Sequence, residues 1–552
     1  MTRLATFLLL LGMLALLCSC SQKSRDHFAA DIPRADTASR GSHAEADKEL
    51  AAPASYAPKT ASEQAALVTN RRKSAQYQPL STFSLDVDTA GYGLVRSALN
   101  AGKLPSPSAV RVEELVNYFP WTAAERQLKP LGKSPFEAAY EAAPCPWNPQ
   151  NVLLSVTVRT KDNPGGAGTA VKKGASVPKD AARHLVFLVD VSGDMAQEGS
   201  LPLVKTSLSV LTGKLRPQDT VSLVTFASGM RTVLPPTSGK EQALILAAVD
   251  SLQAGGATAG AGGLQQGYNQ ASAHFIPGGE NRIVLCTNGN FNMGVSSVAE
   301  MENLVRRNRS RGVPLTVLGV GSRSNDAVLS RIANAGSGNY SHIDSVSEAV
   351  KVLYEEGRST VTVAARDVKA QVEFNPDVVA VWQQIGYEKR QLADAAFTDD
   401  SVDAAWVGPG KQVTILYELT LKKLPAQPNG PVLRYNRIKP IALPPGPRIS
   451  ELAYLKLRWK APGAAAGQGQ SLEVAQPLYR RFVQPSFEAA SGSFRFNAAV
   501  AAFGAKLRGD FMPANWGSVI QWASQAIGND TGGYRAEFVR LARAAQAISG
   551  KQ

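Results

Sequence analysis

The chain predicts an α/β fold. Between residues 182 and 358 it should form a doubly wound, mostly parallel sheet, set among flanking α+β regions, with a β-rich C-terminal region and a terminal helical segment. Three observations predict this. The segments "HLVFLVD", "TVSLVTFAS", "NRIVLCTNG" and "PLTVLGVG" are nearly continuous in apolar residues, as strands buried on both faces are. Amphipathic stretches separate them; in "SLPLVKTSLSVLTGKL", Val204, Leu208, Leu211 and Leu215 recur at helical spacing. Further on, "VTVAARDVKAQVEF", "KQVTILYELTL" and "ISELAYLKLRWK" alternate with period two, the mark of antiparallel strands.

Taken from the start, residues 1–19 are set apart from the fold. Arg3 precedes the apolar run "LATFLLLLGMLALL", which is too short for a transmembrane helix, and "LCSCS" follows. Leu17, Cys18, Ser19 and Cys20 resemble the bacterial lipoprotein signal. The resemblance implies cleavage after Ser19 and a lipid on Cys20; an ordinary secretory signal is the alternative. Ser21 after the Cys implies sorting to the outer membrane. The expected location is therefore the cell envelope, lipid-anchored, with periplasmic or surface-facing domains. A multiply acylated N-terminus anchors stably.

Residues 20–77 are rich in Ala, Ser, Lys, Asp and Pro and poor in large apolar side chains. Such a stretch cannot bury enough surface to offset its ordering entropy, so it reads as a flexible tether with a reach of roughly 40 Å. Beyond the anchor only Cys145 and Cys286 remain, which excludes a disulfide framework. Cys286 lies inside "RIVLC", where a free Cys acts as a small buried hydrophobe.

Residues 78–181 open with an alternating strand, a helix starting near Tyr92, a Pro-bounded turn and a second helix. "DVDT" (Asp86 to Thr89) reads as turn and capping carboxylates before the first of these helices. The doubly wound unit spans 182–358, and 359–552 carries the period-two strands followed by helices from about Phe494. In the last helix Phe538, Leu541, Ala542 and Ala545 form a core-packing stripe, with the Arg residues expected to face solvent.

The formal net charge is +14, yet the basic residues are scattered. "RRNRSR" (Arg306 to Arg311) reads as the solvated end of a helix, where cations favour the C-terminal dipole. With no basic stripe interleaved with aromatics, no nucleic-acid partner is expected; adhesion to an acidic surface remains open.

One cluster asks for a ligand. The first strand of the doubly wound unit ends in Asp190, Ser192 and Asp194, and buried carboxylates are costly unless paired, hydrogen-bonded or bound to a cation. "GGATAG" places Thr258 on a Gly-rich loop, and "CTNGN" places Asn288 just past a strand end. Oxygen donors converging from three loops, with no Cys or His among them, suit a hard divalent cation such as Mg²⁺.

These residues resemble the metal-ion-dependent adhesion site of the von Willebrand factor type A (VWA) domain, whose pattern is D-x-S-x-S, then Thr, then Asp on three such loops. Asp190, Ser192 and Thr258 match. Asp194 stands where the family has its second Ser, and Asn288 where it has its last Asp. The flanking segments "STFSLDVDTAGYGLVRSAL", "AVRVEELVNYFP", "AQVEFNP" and "GGYRAEFVRL" resemble bacterial VWA lipoproteins with additional N- and C-terminal domains. The resemblance implies a protein–protein interaction module in which the cation recruits an acidic residue of a protein partner, the membrane being engaged through the lipid. Given the departures, three outcomes stay open: altered geometry that still recruits, a closed structural metal site, or a site without metal.

Two rival classes are a non-metal scaffold with a vestigial site and a metal-dependent hydrolase. The second lacks an accompanying base: there is no H-E-x-x-H, no phosphate loop ending in G-K-[ST] and no G-x-S-x-G elbow.

Overall fold

The computed structural model describes residues 69–119, 127–162, 182–258, 260–277, 279–291, 298–309, 311–321, 324–336, 338–356, 363–402, 404–422, 450–462, 470–510 and 512–550. All lie in the compact unit Gln64–Gln552. The N-terminal part forms β1 (Lys73–Ser74), β2 (Leu80–Ser84), α1 (Ala90–Asn100), α2 (Val112–Tyr118), β3 (Lys129–Pro130), β4 (Phe136–Cys145) and β5 (Asn148–Thr160).

The doubly wound block follows as β6 (Arg183–Asp190), α3 (Leu201–Thr212), β7 (Thr220–Phe226), β8 (Met230–Ser238), α4 (Gln242–Asp250) and α5 (Gly260–Ala273). It continues as β9 (Glu280–Thr287), α6 (Val298–Arg309), β10 (Leu315–Val320), α7 (Asp326–Ala335), β11 (Tyr340–Ile343) and α8 (Val346–Val350). Its sheet runs β11-β10-β9-β6-β7-β8 and is parallel except for β8, a hairpin partner of β7. The apolar runs in β6, β7, β9 and β10, four of the five parallel strands, are what a sheet covered on both faces requires. On one face α5, α6 and α7 bury Leu264, Tyr268, Met301, Val305, Leu329 and Ile332 against Val186 and Leu188. On the other, α3, α4 and α8 bury Val204, Leu208, Ile245, Val249 and Ala349 against Leu185, Phe187 and Val189. Each Val, Leu, Ile, Met or Phe among them contributes about 1.5–3 kcal/mol. The chain leaves β6 towards β7 on one side and returns to β9 on the other. The carboxyl end of β6 is thus the topological switch point, where open α/β sheets hold ligands.

The C-terminal part adds β12 (Ala365–Phe374), β13 (Val379–Ile385), β14 (Ala405–Val407), β15 (Gln412–Leu421), β16 (Glu451–Lys460) and β17 (Leu472–Tyr479). Three helices end it: α9 (Gly492–Arg508), α10 (Trp516–Ser524) and α11 (Tyr534–Ser549). Strands from both flanks share sheets. One sheet runs β1-β13-β15-β5-β4-β3; the other runs β14-β12-β16-β17, with β2 also paired to β12. Phe83, Val156, Trp382, Tyr417, Leu455 and Leu457 fill the core they share. The segments 78–181 and 359–552, distinct in sequence, are interleaved in space. Helices α9 to α11 pack with α1 and α2 around Tyr92, Leu115, Phe494, Phe503 and Phe538. Cys145 and Cys286 are buried and unbridged.

Three expectations need correcting. The tether cannot run to residue 77: Lys73 and Ser74 pair with Trp382 and Val381, Ala75 is buried, and Arg72 pairs with Glu418 at 2.7 Å. Backbone pairing at a sheet edge and one ion pair order this stretch despite its low apolar content. The carboxylates of "DVDT" do not cap α1, whose N-cap Thr89 makes no side-chain capping bond. Asp86 and Asp88 instead pair with Arg390 at 3.0 and 2.8 Å. Finally, Arg535 of α11 is buried, donating to Ser493 Oγ at 2.8 Å and to the Ala526 carbonyl at 3.1 Å. Cys20 and the signal segment lie outside the described residues. Among the described residues, no helix is long and apolar enough to cross a membrane.

Candidate functional site

At the carboxyl end of β6 the chain must leave the sheet, and it does so through Val191 and Ser192 into a short 3₁₀ turn, Gly193–Ala196. Asp190 is fully buried. Its Oδ1 accepts the Ser192 N–H at 2.9 Å, and its Oδ2 accepts the Thr287 hydroxyl at 2.6 Å. Ser192 is buried, and its Oγ has no hydrogen-bond partner among the described residues. Asp194 stands exposed on the 3₁₀ turn, at the rim.

The Gly-rich loop is fastened to this turn by backbone. Gly255 N–H donates to the Val191 carbonyl at 2.7 Å, and Gly193 N–H donates to the Gly256 carbonyl at 2.8 Å. Gly256 has φ +84°, and a Cβ there would lie 2.6 Å from Ser228 Oγ, so only glycine serves. Thr258, two residues on, is fully buried.

The third loop leaves β9 at Thr287. Asn288 is buried, its Oδ1 accepts the Asn290 N–H at 3.0 Å, and its carbonyl accepts the Asn325 N–H at 2.8 Å. Asn288 therefore spends its amide oxygen on a local turn and ties the loop to the start of α7. The bond to Asp190 comes from its neighbour, Thr287, which sequence reasoning missed. The available signal was its position: a hydroxyl at the last residue of a strand paired, through β9 and β6, beside the first loop.

Hydrogen bonds thus join the loop bearing Asp190, Ser192 and Asp194 both to the loop bearing Thr258 and to that bearing Asn288. Burial pushes the Asp190 carboxyl above the usual carboxylate range, and the charge of Asp194 pushes the same way against the bonds from Thr287 and Ser192. Ionising Asp190 therefore costs stability, and a nearby divalent ion would return it. Hydroxyl and carboxylate oxygens make a hard donor set, and the buried Ser192 hydroxyl lies within it. Among the described residues, no group of three or more His, Cys, Asp or Glu could hold a metal ion. With Asn288 in place of a carboxylate, this constellation has only Asp190 and Asp194 to offer.

Comparison with known proteins adds the following. A family model described as von Willebrand factor type A domain matches residues 184–356, one described as von Willebrand factor matches 59–155, and one described as uncharacterized protein YfbK, C-terminal, matches 359–548. Uncharacterized protein YfbK of Escherichia coli (strain K12) is 46% identical over 487 residues, covering 87% of this chain and 80% of that protein. Among solved structures, von Willebrand factor type A from Catenulispora acidiphila is similar at 14% identity and a TM-score of 0.38, over 74% of this chain and 91% of that one. Proximal thread matrix protein 1 from the mussel byssus, in a form described as having a zinc-occupied adhesion motif, is similar at 21% identity and a TM-score of 0.27. That match covers 33% of this chain and 45% of the other.

Proposed function

The chain belongs to the family of YfbK of Escherichia coli, built around a von Willebrand factor type A domain, and from that membership we propose that it is a lipid-anchored protein–protein interaction module. Domains of this type are interaction or adhesion modules and commonly bind a divalent metal at their adhesion site. In this reading Cys20 carries the lipid and residues from 20 up to the first ordered strand tether the folded part to the cell envelope. The boundaries 182–358 and 359–552 separate the capturing domain from the C-terminal supporting region.

The face at the end of β6 captures the partner. The single observation that carries this is the hydrogen-bonded meeting of three loops around the buried carboxylate of Asp190 at the switch point. Asp190, Ser192 and Thr258 would hold the cation, with Asp194 at the rim and Asn288 shaping the third loop. Mg²⁺ is the ion that best suits an all-oxygen donor set. The cation, when bound, supplies a Lewis-acidic position for a carboxylate of the partner. The chain's own residues fix the loops and exclude water from Asp190. A metal-free scaffold is the second reading, favoured by one fact: both Asp190 oxygens already have protein donors.

Thermal melting with Mg²⁺, Mn²⁺ or chelator, combined with crosslinking in intact cells, separates the two. The metal-mediated reading expects divalent ions to raise the melting temperature of the native chain but not of Asp190→Ala or Thr258→Ala. It expects both variants to lose chelator-sensitive crosslinks, and Cys20→Ala to lose membrane association. Melting indifferent to divalent ions and chelator, with Asp190→Ala crosslinking normally, would establish the scaffold instead.

A further inference from the structure

A second cleft, of about 330 Å³, opens where α6 and α7 meet the end of β2 and the connection from β13 to β14. Its walls carry Arg306, Arg309, Arg331, Lys389 and Arg390 against two carboxylates, Asp86 and Glu302. Those two acids are already engaged. Glu302 holds Arg331 at 2.8 Å and faces Arg306 at 3.8 Å, while Asp86 holds Arg390 at 3.0 Å. Asp88 also holds Arg390 at 2.8 Å, and Glu113 and Glu114 act on Lys389 and Arg390 from behind the walls, so the walls themselves present five cations against two acids.

The cleft also has a rigid wall. Trp406 lines it, with the Arg309 guanidinium 5.1 Å from its ring centroid and that of Arg366 at 4.2 Å. Stacking holds a planar guanidinium in place, so less conformational freedom is lost when an anion docks. Arg306 and Arg331 remain about half exposed, at 53% and 58%, and can swing towards a ligand. The "RRNRSR" run is thus not merely the solvated end of a helix, because Arg309 is buried in this wall.

We propose that this cleft is an anion site for a phosphate monoester, independent of the site at the end of β6. Several guanidinium groups and an ammonium supply more charge and more donors than one carboxylate can use, whereas a dianionic phosphoryl group accepts several bidentate contacts. The volume lies at the small end of ligand pockets, which span roughly 300–1,000 Å³, and suits a phosphoryl group with a short organic stem. The same chemistry could arrive as a free phosphate or as a phospholipid headgroup.

The test uses the full chain in neutral detergent with chelator present, so that no divalent ion contributes. Calorimetric titrations with inorganic phosphate and with a water-soluble short-chain phosphatidic acid are compared at constant ionic strength, with chloride as reference. The expected result is saturable binding of at least one phosphate ligand, weakened at least tenfold by Arg331→Ala combined with Lys389→Ala. Arg307→Ala, on the same helix but outside the cleft walls, should leave affinity unchanged. Tighter binding of the lipid assigns the headgroup as ligand; equal affinity assigns the free phosphoryl group. Binding no stronger than chloride, or loss that is equal in Arg307→Ala and the double variant, overturns the proposal.

Discussion

Glu113, in the first turn of α2, is a buried carboxylate whose Oε2 has no hydrogen-bond partner among the described residues. Burial, then the neighbouring charges of Glu388 and Glu114, push its pKa up to about 7. In the unfolded chain the group ionises near its ordinary value of 4.5, so the folded state binds more protons between these limits. Its contribution to stability is therefore full below about pH 4.5 and is lost as the pH rises towards 7. Glu113→Gln should flatten the decline in unfolding free energy between pH 5 and pH 8, measured by denaturant titration; an unchanged slope would show that another group sets it. Nothing in "RVEELVNYF" announces this, because Gly386, which packs against the carboxylate, and Glu388, whose charge acts on it, are distant in sequence. Asp190, Ser192 and Thr258 were legible as residues where the chain leaves one element for the next, from the strand and helix patterns that flank them. Thr287 was not, since a threonine ending a strand is equally well explained by β propensity.

At the scale of elements, the parallel strands and the helices between them could be read from apolar continuity and 3.6-residue spacing, since both patterns record burial. The two-residue strands could not: β1 and β3 bury almost nothing through side chains and exist by backbone pairing to β13 and β4. Arg535 escaped for a related reason, as its burial depends on acceptors in α9 and after α10 rather than on its own helix. Close approach between elements gives a sharp test. A Cβ at Gly338, in the turn between α7 and β11, would fall 1.5 Å from the Leu315 carbonyl oxygen of β10. No rotamer relieves a clash with backbone. Gly338→Ala should cost about 3 kcal/mol or more, within the range of severe packing mutations, and chemical denaturation would register it. A loss below 1 kcal/mol would mean that the turn repacks freely.

For the molecule as a whole, the doubly wound block is framed by strands that belong together. β5 precedes it and β12 follows it, and each lies in a sheet completed by the opposite flank. Sequence alone separates the flanks because strand pairing across more than 200 residues leaves no local signature. A buried hub joins the parts. Arg96 of α1 donates to Asp344 at 2.8 Å and Glu348 at 2.8 Å on the doubly wound block, to Tyr118 of α2 at 3.2 Å and to Glu537 of α11 at 3.1 Å. Removing one partner of such a network strands the others. Arg96→Met should destabilise the fold by about 3–5 kcal/mol. Loss of the block's unfolding coincidence with the flanks, followed by near- and far-ultraviolet circular dichroism, would mark the hub as their coupling; a wild-type midpoint would refute it.

The shortness of β1 has a mechanical consequence. A pull from the N-terminal side is borne first by the hydrogen bonds of Thr69 and Asn70 to Asp510, Gly386 and Gln383, then by the Arg72–Glu418 contact and two backbone pairs on a sheet margin. Peeling residues 69–74 would pay out up to roughly 20 Å of chain before the buried Ala75 is drawn from its core. The attachment gives way as a shock absorber does.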